Sequence, residues 1–390
     1  MKIIIINPIL YTADNNIIPK VKSIKDTMIY NMCLGFKSLG HEVTLAAAID
    51  YQPVEVEKYE FEVKWLKTVC HKLCPPSVLP YSNEFSIFLK KNSARFDMVV
   101  TSEVFSLWSF TAARICPEKT VIWHELALHP NKFHQLPSKV WYNVVAKHLM
   151  NKVLVIPRSE DAKNFVKQYM RHVSDVCVEH GIDLSKFTCG VEKKKQFIVV
   201  SQLIARKNID GIIRIFKKFM DKYDNAYQLL IVGRGELEKE LKQLTHQLNI
   251  AKSVKFLGFK THEEMNQYLP CSQALLINTR QDNNMVSIPE SVVCGTPVIT
   301  NSIPTNSGMI TKNLLGIVKD NWNEDTLSEF LQITPPYWQN CIQYREKLSS
   351  KHQASLLVEQ FIKFSAHENI STESDSVHKH RRKSSKGGDD

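Results

Sequence analysis

Short apolar runs alternate with amphipathic stretches along most of the chain, the pattern that repeated strand–helix units around parallel sheets produce. One set of runs predicts strands at 2–7, 42–47, 98–101, 120–123 and 153–156. A second set predicts strands at 197–200, 228–232, 254–257, 274–278 and 297–300. Between the first two, 24–39 has helical spacing and closes on Gly40-His41, a helix-to-strand turn. The polar stretch 188–195 separates the two series and reads as the connection between domains. Beyond Pro335, helical patterns cover 338–348 and 352–364 with no strand after them, so they are free to pack back on the first domain. The expectation is an α/β protein of two doubly wound, Rossmann-like parallel-sheet domains facing a cleft. Its boundaries fall at 1–188, 189–350, a helix at 351–365 returning to the first domain, and a disordered basic tail at 366–390.

With 390 residues the chain exceeds the size at which a single core stops growing. Its 43% hydrophobic and 23% charged residues belong to a folded chain rather than a disordered one. No apolar run approaches the roughly 18 residues a bilayer crossing needs, and the run at 1–8 is too short for a signal peptide and reads as a buried first strand. Nine scattered cysteines, an odd number, point to reduced thiols, so a cytoplasmic location is expected. Cys70-His71-Lys72-Leu73-Cys74 lacks a second ligand pair and reads as an ordinary helical face rather than a zinc site. The net charge of +10 invites a polyanion, nucleic acid or an acidic membrane. Part of that charge sits in the tail at 378–383. The basic, aromatic-containing stretch 138–148 would suit either a membrane surface or a core-packed helix.

Ligands of open parallel sheets bind beyond the carboxyl ends of the strands, where helix N-termini attract phosphate. The loop after 200 carries Gln202, Arg206 and Lys207 before a helix, a suitable place for a diphosphate whose charge grows as it leaves. Gly233-Arg234-Gly235 makes a tight turn after a strand, but Glu238 stands where a dinucleotide fingerprint needs its third glycine. In the segment 280–299, Asp282 lies in a polar loop with Asn283, Asn284, Met285 and Val286. Glu290 opens a helix that ends at Gly295, with Pro289 in its first turn. Ionised carboxylates so placed accept from sugar and ribose hydroxyls.

This last segment resembles the signature of the retaining glycosyltransferases of family 4 (glycosyl transferases group 1), in which E-x7-E precedes A-x-x-C/A-G-T-P-V-I. Asp282 holds the first acidic position, Glu290 the second, and 294–299 the following turn and strand. The stretch 201–208 resembles G-R-L-x-x-x-K-G, with Lys207 at the lysine, Gln202 at the arginine and Asn208 at the last glycine. His180-Gly181-Ile182-Asp183 with Phe187 resembles N-G-V-D-x-x-x-F, 256–258 the F-x-G strand end at Gly258, and His124-Glu125 the H-D/E pair after a first-domain strand. The family's N-terminal glycine-rich loop has no counterpart in 21–27.

The resemblance implies a GT-B fold and transfer of a sugar, with retention, from a nucleoside diphosphate sugar to a glycan or lipid-linked acceptor in bacterial cell-surface polysaccharide synthesis. The implied donor is a UDP-sugar, and with no D-x-D pair in view no metal or other cofactor is expected. His124, Lys207, Asp282 and Glu290 take the catalytic positions. Gln202, Arg206, Lys207, Gly233, Gly258 and residues 282–286 with Glu290 surround the donor. Nucleic acid drops out as a partner, and peripheral contact with the inner face of an anionic plasma membrane stays open. An oxidoreductase or epimerase would need a glycine fingerprint after the first strand, where Asn7-Pro8-Ile9-Leu10 has none. The departures at Gln202, Asn208 and Asp282 keep a non-catalytic GT-B partner or binding subunit as the alternative.

Overall fold

The computed structural model describes residues 1–11, 17–129, 135–282, 284–332 and 337–384, with side chains described as far as His367. Two all-parallel sheets organise it. The first contains β1 (Lys2–Ile6), β2 (Glu42–Ala48), β3 (Glu62–Leu66), β4 (Met98–Ser102), β5 (Thr120–His124), β6 (Leu154–Pro157) and β7 (His172–Val173), in the order β3-β2-β1-β4-β5-β6-β7. The second contains β8 (Gln196–Val200), β9 (Gln228–Val232), β10 (Val254–Gly258), β11 (Leu275–Leu276), β12 (Val298–Thr300) and β13 (Gly316–Val318), in the order β10-β9-β8-β11-β12-β13.

Helices cover both faces of each sheet, which is why the central strands are apolar on both sides: Ile3, Ile4, Ile5 and Ile6 are all buried. Chain order reverses between β1 and β4 in the first sheet and between β8 and β11 in the second. Those reversals open crevices at the carboxyl ends of the strands, and the loops that follow them line both sides of the interdomain cleft.

The chain crosses between domains twice, and the crossings lie side by side. Ile182 and Ser349 form a parallel bridge, with Ile182 N–H donating to Leu348 at 2.8 Å and Ser350 N–H donating to Ile182 at 2.8 Å. The final helix, Ser350–Ser384, then packs Ala354, Leu357 and Phe361 into the first domain's core with Phe36 and Ile3. Gly35 permits that approach, since a Cβ there would lie 2.2 Å from the Ser350 carbonyl oxygen. The helix is described to Ser384, so it continues through residues read from the sequence as the start of a tail.

Cys70 to Cys74 form a turn, with Cys70 at φ 59 and Cys74 N–H donating to Cys70 at 2.8 Å, rather than the expected helical face. The stretch 138–148 is a short α-helix followed by a π-helical segment, Trp141–Ala146. It buries Tyr142 and Ala146 in the core and leaves Val140 and Val144 exposed. No helix among the described residues is long and apolar enough to cross a membrane.

Candidate active site between the two domains

On the second domain, the loops after β8 and β11 are sewn together. Arg280 N–H donates to the Arg206 carbonyl at 2.7 Å, and its guanidinium donates to the Ala205 carbonyl and to Asn208 Oδ1, both at 2.6 Å. Asn208 adopts φ 53 and ψ 41. That left-handed conformation is where the resembled motif carries glycine, and asparagine is among the few other residues that tolerate it.

The stitching brings Lys207 onto Asp282, whose other oxygen lies 3.3 Å from Arg206. Burial pushes the Lys207 ammonium below its usual range, opposed by the Asp282 carboxylate. Gln202, Arg206, Lys207, Asp282, Asn284, Met285 and Val286 line one cavity of about 270 Å³, so these sequence-predicted residues are brought together. Asn306 fixes the Met285 backbone from both sides, accepting from its N–H at 3.2 Å and donating to its carbonyl at 2.9 Å. Asn283 lies outside the described residues.

Gly233 and Gly258, also expected at the donor, do not line this cavity and act on the backbone behind it. A Cβ on Gly233 would fall 1.8 Å from the Ser201 carbonyl oxygen, so the glycine lets the β9 turn lie against the β8 loop. Gly258, at φ +66, accepts from Gly233 N–H at 2.9 Å. Glu290, in the first turn of the helix Ser287–Val293, does not line this cavity. Its Oε1 lies 3.1 Å from His262 Nε2.

The first domain faces this cavity with a larger one of about 680 Å³, which Asn284 and Val286 also reach. Its floor is charged. Glu103, Glu125, Arg158 and His180 line it. Arg158 Nη1 donates to Glu125 at 2.7 Å, Nη2 donates to Ser102 at 3.2 Å, and its guanidinium sits 3.8 Å from the Trp123 ring centroid. Burial raises the Glu125 carboxyl although Arg158 opposes the shift, and Asn284 N–H from the second domain also donates to it. Glu103 is pushed up by burial too, but His124 and Arg158 outweigh that and hold it low. Both His180 nitrogens lack a hydrogen bond, and burial, then Arg158, lowers its pKa to about 3, so it is neutral.

His124 is placed differently from expectation. Its ring is fully buried against Tyr142 and Phe165, and Nδ1 lies 2.8 Å from Glu103. It therefore reaches the cleft only through that carboxylate. The groups that the cleft presents, Glu103 and Arg158, carry no sequence signal because each stands alone after its strand. Glu103 has φ 67, strain of a kind that persists where surroundings enforce it, often at working sites.

Two parallel-sheet domains with facing carboxyl-end crevices define the GT-B fold, and solved structures agree. An apo lipopolysaccharide outer core galactosyltransferase, WaaB, superposes with a TM-score of 0.63 at 14% identity over 93% of this chain and 99% of that one. A HepE protein of Anabaena in complex with UDP gives 0.60 at 14% identity over 96% of this chain and 100% of that one. Residues 184–333, most of the second domain, match the family model of glycosyl transferases group 1.

Among curated proteins, an alpha-monoglucosyldiacylglycerol synthase of Streptococcus pneumoniae is 25% identical over 228 residues, 50% of this chain and 51% of that protein. An amylovoran biosynthesis glycosyltransferase of Erwinia amylovora is 24% identical over 161 residues, 39% of each. The alignments thus span about half the length of the first relative and less of the second.

Proposed function

We propose that this protein is a retaining glycosyltransferase of family 4 that moves a sugar from a nucleoside diphosphate sugar, with UDP the first base to test, to a glycan or lipid-linked acceptor. The named roles of the relatives, in monoglucosyldiacylglycerol synthesis and in amylovoran biosynthesis, support that acceptor class. The observation that carries the reading is the gathering of Lys207, Arg206, Asp282 and Asn284 at the chain reversal of the second sheet, facing the charged floor of the first.

In this reading Lys207 and Arg206 exchange their hold on Asp282 for the donor's diphosphate and offset its growing charge as the glycosidic bond breaks. Glu290 accepts from the ribose hydroxyls. Asp282 and Asn284 face the sugar, and the Asn284 amide, 8% exposed with neither polar atom bonded, is unsatisfied until a ligand supplies partners. The acceptor enters over Glu103, Glu125 and Arg158, and attack on the face the diphosphate leaves gives retention without a protein nucleophile. Domain closure excludes the water that would otherwise hydrolyse the donor. His124 acts from behind, fixing Glu103.

The test is a panel of UDP- and GDP-sugars assayed for nucleotide release with glycan and lipid-linked acceptors. Release that depends on acceptor and yields the α-linkage from an α-linked donor supports the proposal, and an inverted product would remove the retaining assignment.

A further inference from the structure

The Glu290 carboxylate, which the proposed function assigns to the donor's ribose, is held by a side chain that no motif singled out. His262 opens a short helix capped by Thr261, whose side chain accepts from Glu264 N–H while Glu264 reaches back to Thr261 N–H. That double bond fixes the start of the helix and so the root of the imidazole. His262 Nε2 lies 3.1 Å from Glu290 Oε1, and Nδ1 lies 3.6 Å from Asp26 Oδ1. Phe187 packs beside the ring, with centroids 4.9 Å apart.

Asp26 belongs to the other domain. It lies in the loop before the helix Met28–Ser38, lines the larger cavity, and accepts from Lys186 Nζ at 2.9 Å, a lysine in the helical turn Leu184–Lys186 that also donates to the Lys25 carbonyl at 2.8 Å. A first-domain loop at the cavity and the donor-side helix therefore meet at one imidazole, hydrogen-bonded to Glu290 and at ion-pair distance from Asp26 without a hydrogen bond to it. A ring flanked by two carboxylates is held as a cation, and a cation that donates to Oε1 turns the Glu290 carboxylate to a fixed orientation, leaving Oε2 directed to hydroxyl donors.

The geometry points to His262 as the positioning residue that aims the Glu290 carboxylate at the donor's ribose and links that grip, through Asp26, to the first-domain loop at the cavity. This inference rests on the donor reading. Without the imidazole, Glu290 must lose rotamer freedom on binding that it now lacks beforehand.

The experiment is calorimetric titration of the full chain with UDP and with GDP, using wild type, His262→Ala, His262→Gln, Glu290→Gln and the His262→Ala/Glu290→Gln pair. For whichever diphosphate wild type binds, H262A should weaken affinity about tenfold, a difference of the size one lost charge-assisted hydrogen bond produces. Gln, whose amide can donate to Glu290 but not also to Asp26, should restore affinity to within about threefold of wild type. The double variant should bind no more weakly than E290Q alone, because both changes remove one grip. H262A binding like wild type, or losses that add in the double variant, would overturn the assignment. Circular dichroism melts of each variant separate loss of aim from loss of fold, and a melt of H262A displaced as far as its affinity, with no rescue by Gln, would make the role structural and overturn it as well. Wild type binding neither diphosphate would remove the donor reading, and the role of His262 with it.

Discussion

Replacing Arg158 with methionine keeps most of the side-chain volume and removes one buried charge, so its effect can be worked from the contacts. The guanidinium is 2% exposed, bonds Glu125 at 2.7 Å and Ser102 at 3.2 Å, and stacks 3.8 Å from Trp123. Breaking a fully buried ion pair from one side costs about 3 to 5 kcal/mol. Glu125 keeps 24% side-chain exposure toward the cavity, so water recovers part of that and a loss of about 2 to 4 kcal/mol is expected.

The sign with pH follows from Glu125. Burial already raises its folded pKa, so it adds stability when protonated and loses it as pH rises from the unfolded value. Removing Arg158 raises that pKa further and relaxes the hold on Glu103, so the deficit should be smaller near pH 5 and grow toward pH 8. Urea unfolding of wild type and Arg158→Met at both pH values, followed through first-domain tryptophans, measures it. The added change Glu125→Gln should return a large share of the loss at pH 8, since no unpaired carboxylate then remains. A deficit below about 0.5 kcal/mol, the size of an ordinary surface substitution, or one that does not change with pH, would refute the reasoning.

Lys207→Ala should raise the transfer barrier by about 2 to 4 kcal/mol with the fold kept, because Arg206 still neutralises Asp282; initial rates on the accepted nucleotide sugar check it. Chelation with EDTA should leave turnover unchanged, since the proposed charge compensation comes from side chains. Asn208→Ala should cost about 1 to 2 kcal/mol in thermal melts, because alanine strains at φ 53 and Arg280 loses its acceptor, while Asn208→Gly should cost less than half as much. The stability advantage of wild type over His262→Ala should be greatest below about pH 6.5 and fade as pH rises through about 9, the value to which Asp26, then Glu290, raise His262. The change amounts to at most about 3 kcal/mol, less for the fraction of the ring in water. Lys186 also pairs with Asp26, at 2.9 Å.

The long apolar runs were legible because a strand covered on both faces must be apolar throughout, as Ile3 to Ile6 show. β3, β7 and β13 were not anticipated. β3 (Glu62–Leu66) alternates charge and apolar residues as an edge strand does, β7 has only two residues, and β13 has three. The loops after β8 and β11 gave Lys207 and Asp282 because each carries charge at a strand-to-helix turn, and the φ of Asn208 explains why asparagine serves where the resembled motif has glycine.

Three-dimensional pairing was not legible. Arg158 and Glu125 are 33 positions apart, and His262 meets Asp26 from the other domain. His124 has the right strand-end position, yet its side chain turns inward. Strand alternation assigns a face to a residue, but not whether a loop such as the one carrying Glu103 covers that face.

The most direct test of the account is whether wild type, titrated with UDP and GDP at moderate salt, is stabilised against heat by one of them, while Lys207→Ala is stabilised far less at the same concentration. That outcome, with acceptor-dependent release of the same diphosphate from its sugar, is the predicted one. Binding without any transfer across the donor and acceptor panel would instead favour a non-catalytic GT-B subunit, and no stabilisation by either diphosphate would contradict the donor site itself.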